Sequence, residues 1–210
     1  MTLPVRFGSI EKRDLNGQIA TVVSGLTNPS GLAFDSVGNL YFGNVADAQH
    51  ISIHKLSPDG QLTDLDPAVN VFDRVFVGGW GFDLAVDADD NVYFNHPATY
   101  NAQYQLIEAG SIRMLTPDGS HATVVGGLRN PSGLAFADDG TLFFGNVLEV
   151  QHIELFRRTP DGELTHFGQV VNITGTISGM TWGFDIAVPE PATLTLLSLS
   201  IPALLRRRQA

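Results

Sequence analysis

The segment NPSGLAF stands at residues 28–34 and again at 130–136. WGFDLAV at 80–86 returns as WGFDIAV at 182–188, and SPDG at 57 returns as TPDG at 159. Every offset is 102 residues. Gly8–Val86 laid over Gly110–Val188 needs no gap and matches at 39 of 79 positions. A repeat this exact means that one structural unit was copied, so any fold proposed for the first half must serve the second.

Each copy divides again. GLAFDSVGNLYFGN (31–44) is similar to DLAVDADDNVYFNH (83–96), half a period later. A short apolar strand (GLAF, DLAV) meets a turn rich in Asp, Gly and Asn, and a second strand follows (LYF, VYF, LFF). After a loop come a third strand (ISIHKL, SIRML, IELFRR), a Pro-Asp-Gly turn and a fourth strand. Pro presets φ for the turn and Gly tolerates positive φ, so S/T-P-D-G between apolar runs is a hairpin signal with a mechanism. Four short strands in about fifty residues, with small residues on the first, describe the blade of an all-β propeller. About four blades are visible. The chain opens on the third and fourth strands of a blade (Gly8–Val23) and closes the repeat on a first strand (Asp185–Val188).

The pattern P-S-G-L-A-F-D-x-x-G-N-L-Y-F resembles the NHL-type repeat of six-bladed propellers. The resemblance covers nearly all of residues 8–188 and implies a propeller of the NHL/SMP-30-like kind, with these blades part of six. The domain reading is a propeller over 1–188, built from copies 8–109 and 110–188 with the second incomplete, followed by a separate segment 189–210. The opening MTLPVRFGSIEKRDLNG lacks the apolar run of a signal peptide. An N-terminally truncated product is the expectation, beside a small ring joining both ends and a pairing of chains.

Twelve Lys and Arg face twenty-two Asp and Glu, a formal charge of −10. A surface this acidic repels phosphate backbones, which argues against nucleic acid as a partner. There is no cysteine, which excludes disulfides, thiolate nucleophiles and Cys-bound zinc.

The chain ends on VPEPATLTLLSLSIPALLRRR before its last two residues. Ala192–Leu205 carries no charge, and a helix of that length reaches about 21 Å, short of the roughly 30 Å hydrocarbon core. Arginines clustered beside an apolar run stay on the cytoplasmic side. The segment looks like a PEP-CTERM sorting signal: Pro189, Glu190 and Pro191, a short hydrophobic transmembrane-type helix, then Arg206, Arg207 and Arg208. The resemblance implies export across the inner membrane of a Gram-negative bacterium and processing by an exosortase. It also implies delivery to the cell surface or an exopolysaccharide-bearing matrix.

Chemistry is harder to read. Turns between first and second strands share one end of the propeller with the Pro-Asp-Gly turns. DADDN (87–91) among them clusters carboxylates as calcium sites do, yet it lacks the glycine and distal glutamate of a calcium loop, and a hairpin turn is the plainer reading. The opposite end gathers Asn44, Gln49 and His50, their copies Asn146, Gln151 and His152, and the insertion NHPATYNAQYQ with His96, Tyr100 and Tyr104. Trp80 and Trp182 open first strands near the same rim. These eleven residues are the candidate binding face. The histidines of equivalent blades also read as structural, bonding loop carbonyls, and the tryptophans as blade packing. Imidazole and oxygen donors there could gather a divalent ion. A resemblance to gluconolactonase-like propellers implies such an ion on the axis, held through Glu, Asn and Asp, but no residue here matches their glutamate. No G-x-S-x-G elbow or phosphate-cradling glycine loop is present. The expectation is a surface-associated binding propeller that contacts glycans, exopolysaccharide or a surface protein and is not an enzyme. The alternatives are a metal-dependent lactonase or lyase-like enzyme and a non-functional fragment.

Overall fold

The computed structural model describes residues 8–47, 50–70, 75–76, 82–149, 152–171 and 186. Trp80, Gln49, Gln151, Trp182 and the whole tail from residue 187, its apolar run included, lie outside these residues. Every regular element among them is a β-strand. β1 (Gly8–Arg13) and β2 (Ile19–Leu26) form a hairpin. β3 (Pro29–Phe34), β4 (Leu40–Val45), β5 (His50–Leu56) and β6 (Leu62–Asn70) form a four-stranded antiparallel sheet in sequence order. After β7 (Val75–Phe76) come β8 (Leu84–Val86) and β9 (Val92–His96). β10 (Thr99–Tyr100) and β11 (Leu106–Glu108) precede β12 (Gly110–Leu115) and β13 (His121–Leu128). The last sheet is β14 (Pro131–Phe136), β15 (Leu142–Glu149), β16 (His152–Arg158) and β17 (Leu164–Val171). β8, β9, β12 and β13 make the third blade, while the insertion strands β10 and β11 pair with β7 in a separate three-stranded sheet. The architecture is an all-β propeller of four-stranded blades.

Local chemistry explains the hairpins. In all three S/T-P-D-G turns the hydroxyl of Ser57, Thr116 or Thr159 accepts the N–H four residues on and donates to the Asp two residues on. The glycines take φ of +91°, +87° and +97°, a region closed to most side chains. Asp35 and Asp87 close two of the other turns by accepting backbone N–H groups two and four residues ahead. The DADDN carboxylate of Asp87 is thus spent on Asp89, Asn91 and the Asn91 amide, as a hairpin turn requires.

Three apolar clusters glue the sheets face to face. Ile10, Val23, Leu26, Leu40 and Phe42 join the β1–β2 hairpin to the second blade. Tyr41, Ile51, Ile53, Phe82, Leu84, Val92 and Phe94 join the second to the third. Ile112, Val125, Leu128, Leu142 and Phe144, with Ala85 and Leu134, join the third to the fourth. β8 packs against β3 on one side and β14 on the other, so the first strands of the blades line the axis.

Candidate functional site

β8 begins at the loop end of the axis, and the residue before it is Asp83. It replaces the glycine of the other first strands, Gly31 and Gly133. Among the described residues that stand at this position or within the first strands, Asp83 alone is charged. Its carboxylate spans two blades: Oδ1 accepts from Leu84 N at 2.9 Å, and Oδ2 accepts from Leu134 N of β14 at 2.8 Å. Gly31 makes room beside it. A Cβ at Gly31 would stand 3.0 Å from Asp83 Cα and from Leu84 N, and φ there is +64°. Ser30 completes the contact by donating to the Phe82 carbonyl at 2.5 Å.

Asn95, at the end of β9, holds Asp83 in place. Its side-chain oxygen accepts from Asp83 N at 2.6 Å, and its amide donates to Pro131 O at 2.6 Å. Asn44 and Asn146 stand 51 residues on either side and do related work. Asn44 accepts from Thr27 N and Asn28 N, both at 3.0 Å. Asn146 accepts from Arg129 N and Asn130 N at 2.9 and 3.1 Å. Two residues of the candidate face therefore clamp the entry of each blade's first strand with the oxygen a ligand would need.

Next to Asn95, His96 is 3% exposed and pairs in register with Ser111 of β12. Its Nδ1 has no hydrogen-bond partner, and neither has the hydroxyl of the fully buried Thr99 nearby. Burial, aided by the Arg113 guanidinium, pushes the His96 imidazole down to about 4, so it is neutral at physiological pH. Arg113 is itself tied to Glu108 at 2.7 Å and to Ser111 at 3.3 Å. His50 is more open and meets the Asp47 carboxylate at 2.8 Å. His152 is half-buried with its Nε2 unbonded. His50 and His152 belong to the second and fourth blades, with the third between them. Tyr100 is half-buried in β10, and Tyr104 is exposed at the tip of the turn closed by Asn101. The structure therefore joins Asp83 to Asn95, sets His96 on the alternate face of β9 beside Arg113 and Glu108, and leaves His50 and His152 on other blades. Asp83 and Asn95 were absent from the candidate face. The substitution of Asp for Gly before a first strand, and the 51-residue spacing of the three asparagines, were the available signals.

The divalent ion implied at the axis does not fit the described donors. Asp83 is a lone carboxylate there, the three asparagine oxygens serve backbone amides, and no group of three His, Asp or Glu that could hold an ion occurs among the described residues. The opposite end carries a cavity of about 290 Å³ between the second and third blades, lined by Asp35, Tyr41, Lys55, Asp90, Thr116 and His121 among others. Lys55 Nζ lies 5.5 Å over the Tyr41 ring, and Asp90 reaches across to Ser36 N and Oγ at 2.8 Å, so this end serves to brace adjacent blades.

No family model matches the sequence, and no curated protein matches it. Solved structures do. A gluconolactonase from Xanthomonas campestris aligns at TM-score 0.53 and 21% identity over 78% of this chain and 55% of its own. A candidate gluconolactonase aligns at 0.50 and 17% over 76% and 56%. Regucalcin, a calcium-binding protein from Agrobacterium tumefaciens, aligns at 0.49 and 15% over 68% and 45%. The chain thus spans about half the length of these neighbours. The first two correct the expectation of a binding propeller that is not an enzyme, because both are named as gluconolactonases. In fold, the chain is a β-propeller similar to gluconolactonases.

Proposed function

We propose that the protein is a propeller hydrolase acting on sugar-derived lactones, with its reaction centre at the loop end of the axis. The observation that carries this reading is the Asp83 carboxylate, fixed between two blades at the start of β8. Hydrolysis of a lactone needs a base to take a proton from the attacking water, after which the ring oxygen leaves as a hydroxyl. A carboxylate offers about four lone-pair sites, and two amides orient this one without neutralising it. Asp83 takes the water proton and returns it to the departing oxygen. Preorganisation comes from Asn95 on one side and from the glycine at position 31 on the other. The likeness in fold to gluconolactonases supports the substrate class.

The test is acid release from a panel of five- and six-membered aldonolactones, followed in a pH-stat. Turnover well above spontaneous hydrolysis is expected for at least one. Spontaneous rates throughout, with and without added divalent ions, would overturn the reading.

Resemblance of residues 188–208 to a PEP-CTERM signal supports a second proposal, concerning place. In it the chain is exported through the inner membrane, trimmed by an exosortase near Pro189–Pro191 and left at the cell surface. Mass spectrometry of the envelope-associated protein should find the arginine cluster removed. A retained Arg206–Arg208 would contradict it.

A further inference from the structure

We propose that the cavity between the second and third blades, at the turn end, binds a neutral, hydroxyl-rich ring of monosaccharide size. It lies at the opposite end from Asp83, so its occupancy does not depend on the lactone reaction. Both blades around it carry all four strands. Its volume of about 290 Å³ stands at the lower end of the range of small-molecule sites. Third strands of the facing blades build it. Lys55 of β5 pairs in register with Tyr41, and Leu115 of β12 with Val92. At the next interface the same places hold Met114 opposite Tyr93 and Arg158 opposite Leu142. The cation has changed blades. From the fourth blade, Arg158 acts on the Tyr93 phenol across the gap. Between the second and third blades the cation folds back instead, with Lys55 Nζ 5.5 Å over the Tyr41 ring of its own blade. The shorter, uncharged Leu115 opposite leaves the gap open.

Asp90 closes one side. It occupies the turn position that Gly38 and Gly140 hold in the flanking blades, and its φ is +62°, a region few side chains enter. That substitution brings a carboxylate to the cavity wall. Each of its oxygens takes one bond from Ser36 and keeps a lone pair. Asp35, by contrast, gives its oxygens to Val37, Asn39 and Tyr41. Charge then selects the occupant. An anion would face Asp35 and Asp90, and a cation would face Lys55. Hydroxyl groups donate to Asp90 and accept from the Lys55 ammonium, with no charge of their own to strip of water. Leu65, Val92 and Leu115 supply an apolar wall for the C–H face of a ring.

The probes are the methyl pyranosides of glucose, galactose, mannose and xylose, titrated into the isotope-labelled full chain. Amide shifts at Lys55, Leu115 and Gly119 are the readout. At least one pyranoside should shift them to saturation, and gluconate and glucosamine should bind at least about tenfold more weakly. Leu115→Arg, which copies Arg158, should abolish the shifts. Lys55→Met, which copies Met114, should weaken binding by about tenfold, and both variants should keep the wild-type circular dichroism spectrum. Asp83→Asn should bind the sugar as the wild type does, so a failed lactone assay leaves this result standing. A trisaccharide ending in the best ligand separates the sources: tighter binding assigns a chain end, equal binding a free sugar. No shift with any neutral pyranoside would overturn the proposal. So would equal affinity for gluconate or glucosamine, unchanged affinity in either folded variant, or shifts confined to the loop end.

Discussion

The interface between the β1–β2 hairpin and the second blade, and the interface between the third and fourth blades, are made of almost the same residues. Five core positions coincide at a spacing of 102 residues, and Phe42 and Phe144 are both fully buried. The difference is two inner strands. Where β8 and β9 are present, Leu134 disappears into the core; where their counterparts are not among the described residues, Leu32 stands in solvent. Burial is thus a property of what lies across the gap, not of the strand that carries the side chain. A propeller interface also proves divisible: its outer half, contributed by third and fourth strands, packs without the inner half.

That division can be broken experimentally. The largest effects belong to the shared half. Phe42→Ala and Phe144→Ala should each cost about 3–5 kcal/mol in urea unfolding, and a cost near zero for Phe42 would show that the outer half does not hold alone. Next comes the inner half, where the copies should part. Leu134→Ala should cost about 2–5 kcal/mol, and Leu32→Ala less than about 0.5 kcal/mol at concentrations where the chain is monomeric. Equal costs would erase the contrast.

The third effect is a pH dependence seated between the blades. His96 is held near 4 when folded, against an ordinary value of 6.5. Between those values the unfolded chain binds a proton that the folded chain does not, so stability falls as pH drops from about 6.5 to about 4. The full loss is on the order of 3 kcal/mol. His96→Gln should flatten that part of the stability profile; an unchanged slope would assign it to other groups. The smallest effect is at the opposite end, where Ser36→Ala loses the hydroxyl bond to Asp90 at an exposed site. It should change stability by less than about 1 kcal/mol; a larger cost would mean that this cross-blade bridge carries the second interface.

Much of the fold was legible because the repeat announces itself. Matching strands and turns at a fixed spacing dictate blades, and the S/T-P-D-G hairpins formed where their chemistry requires. The candidate face was less legible. Asn44 and Asn146 look like ligand groups in a sequence because amides are ligand groups, but their oxygens close backbone gaps between loop and strand. Only three-dimensional pairing shows that demand. His96 looked equivalent to the other loop histidines, yet the insertion 95–105 holds it in a buried setting that neither His50 nor His152 has. Asp83 was hidden by its neighbours: inside WGFDLAV it reads as the end of a turn, whereas the fold puts it on the axis opposite a glycine. The exposed Leu32 could not be read at all, since its sequence context is identical to that of Leu134.

The central claim is that Asp83 is the base of a lactone-opening site, and one comparison tests it most directly. Asp83→Asn removes the carboxylate and turns one of its two amide-accepting oxygens into an NH2, so urea unfolding should show a loss of about 1–3 kcal/mol in a chain that still folds. If Asp83 takes the water proton, kcat/KM on the best lactone substrate falls by about 100-fold or more, with KM nearly unchanged. A folded variant that hydrolyses the lactone at the wild-type rate would contradict the account.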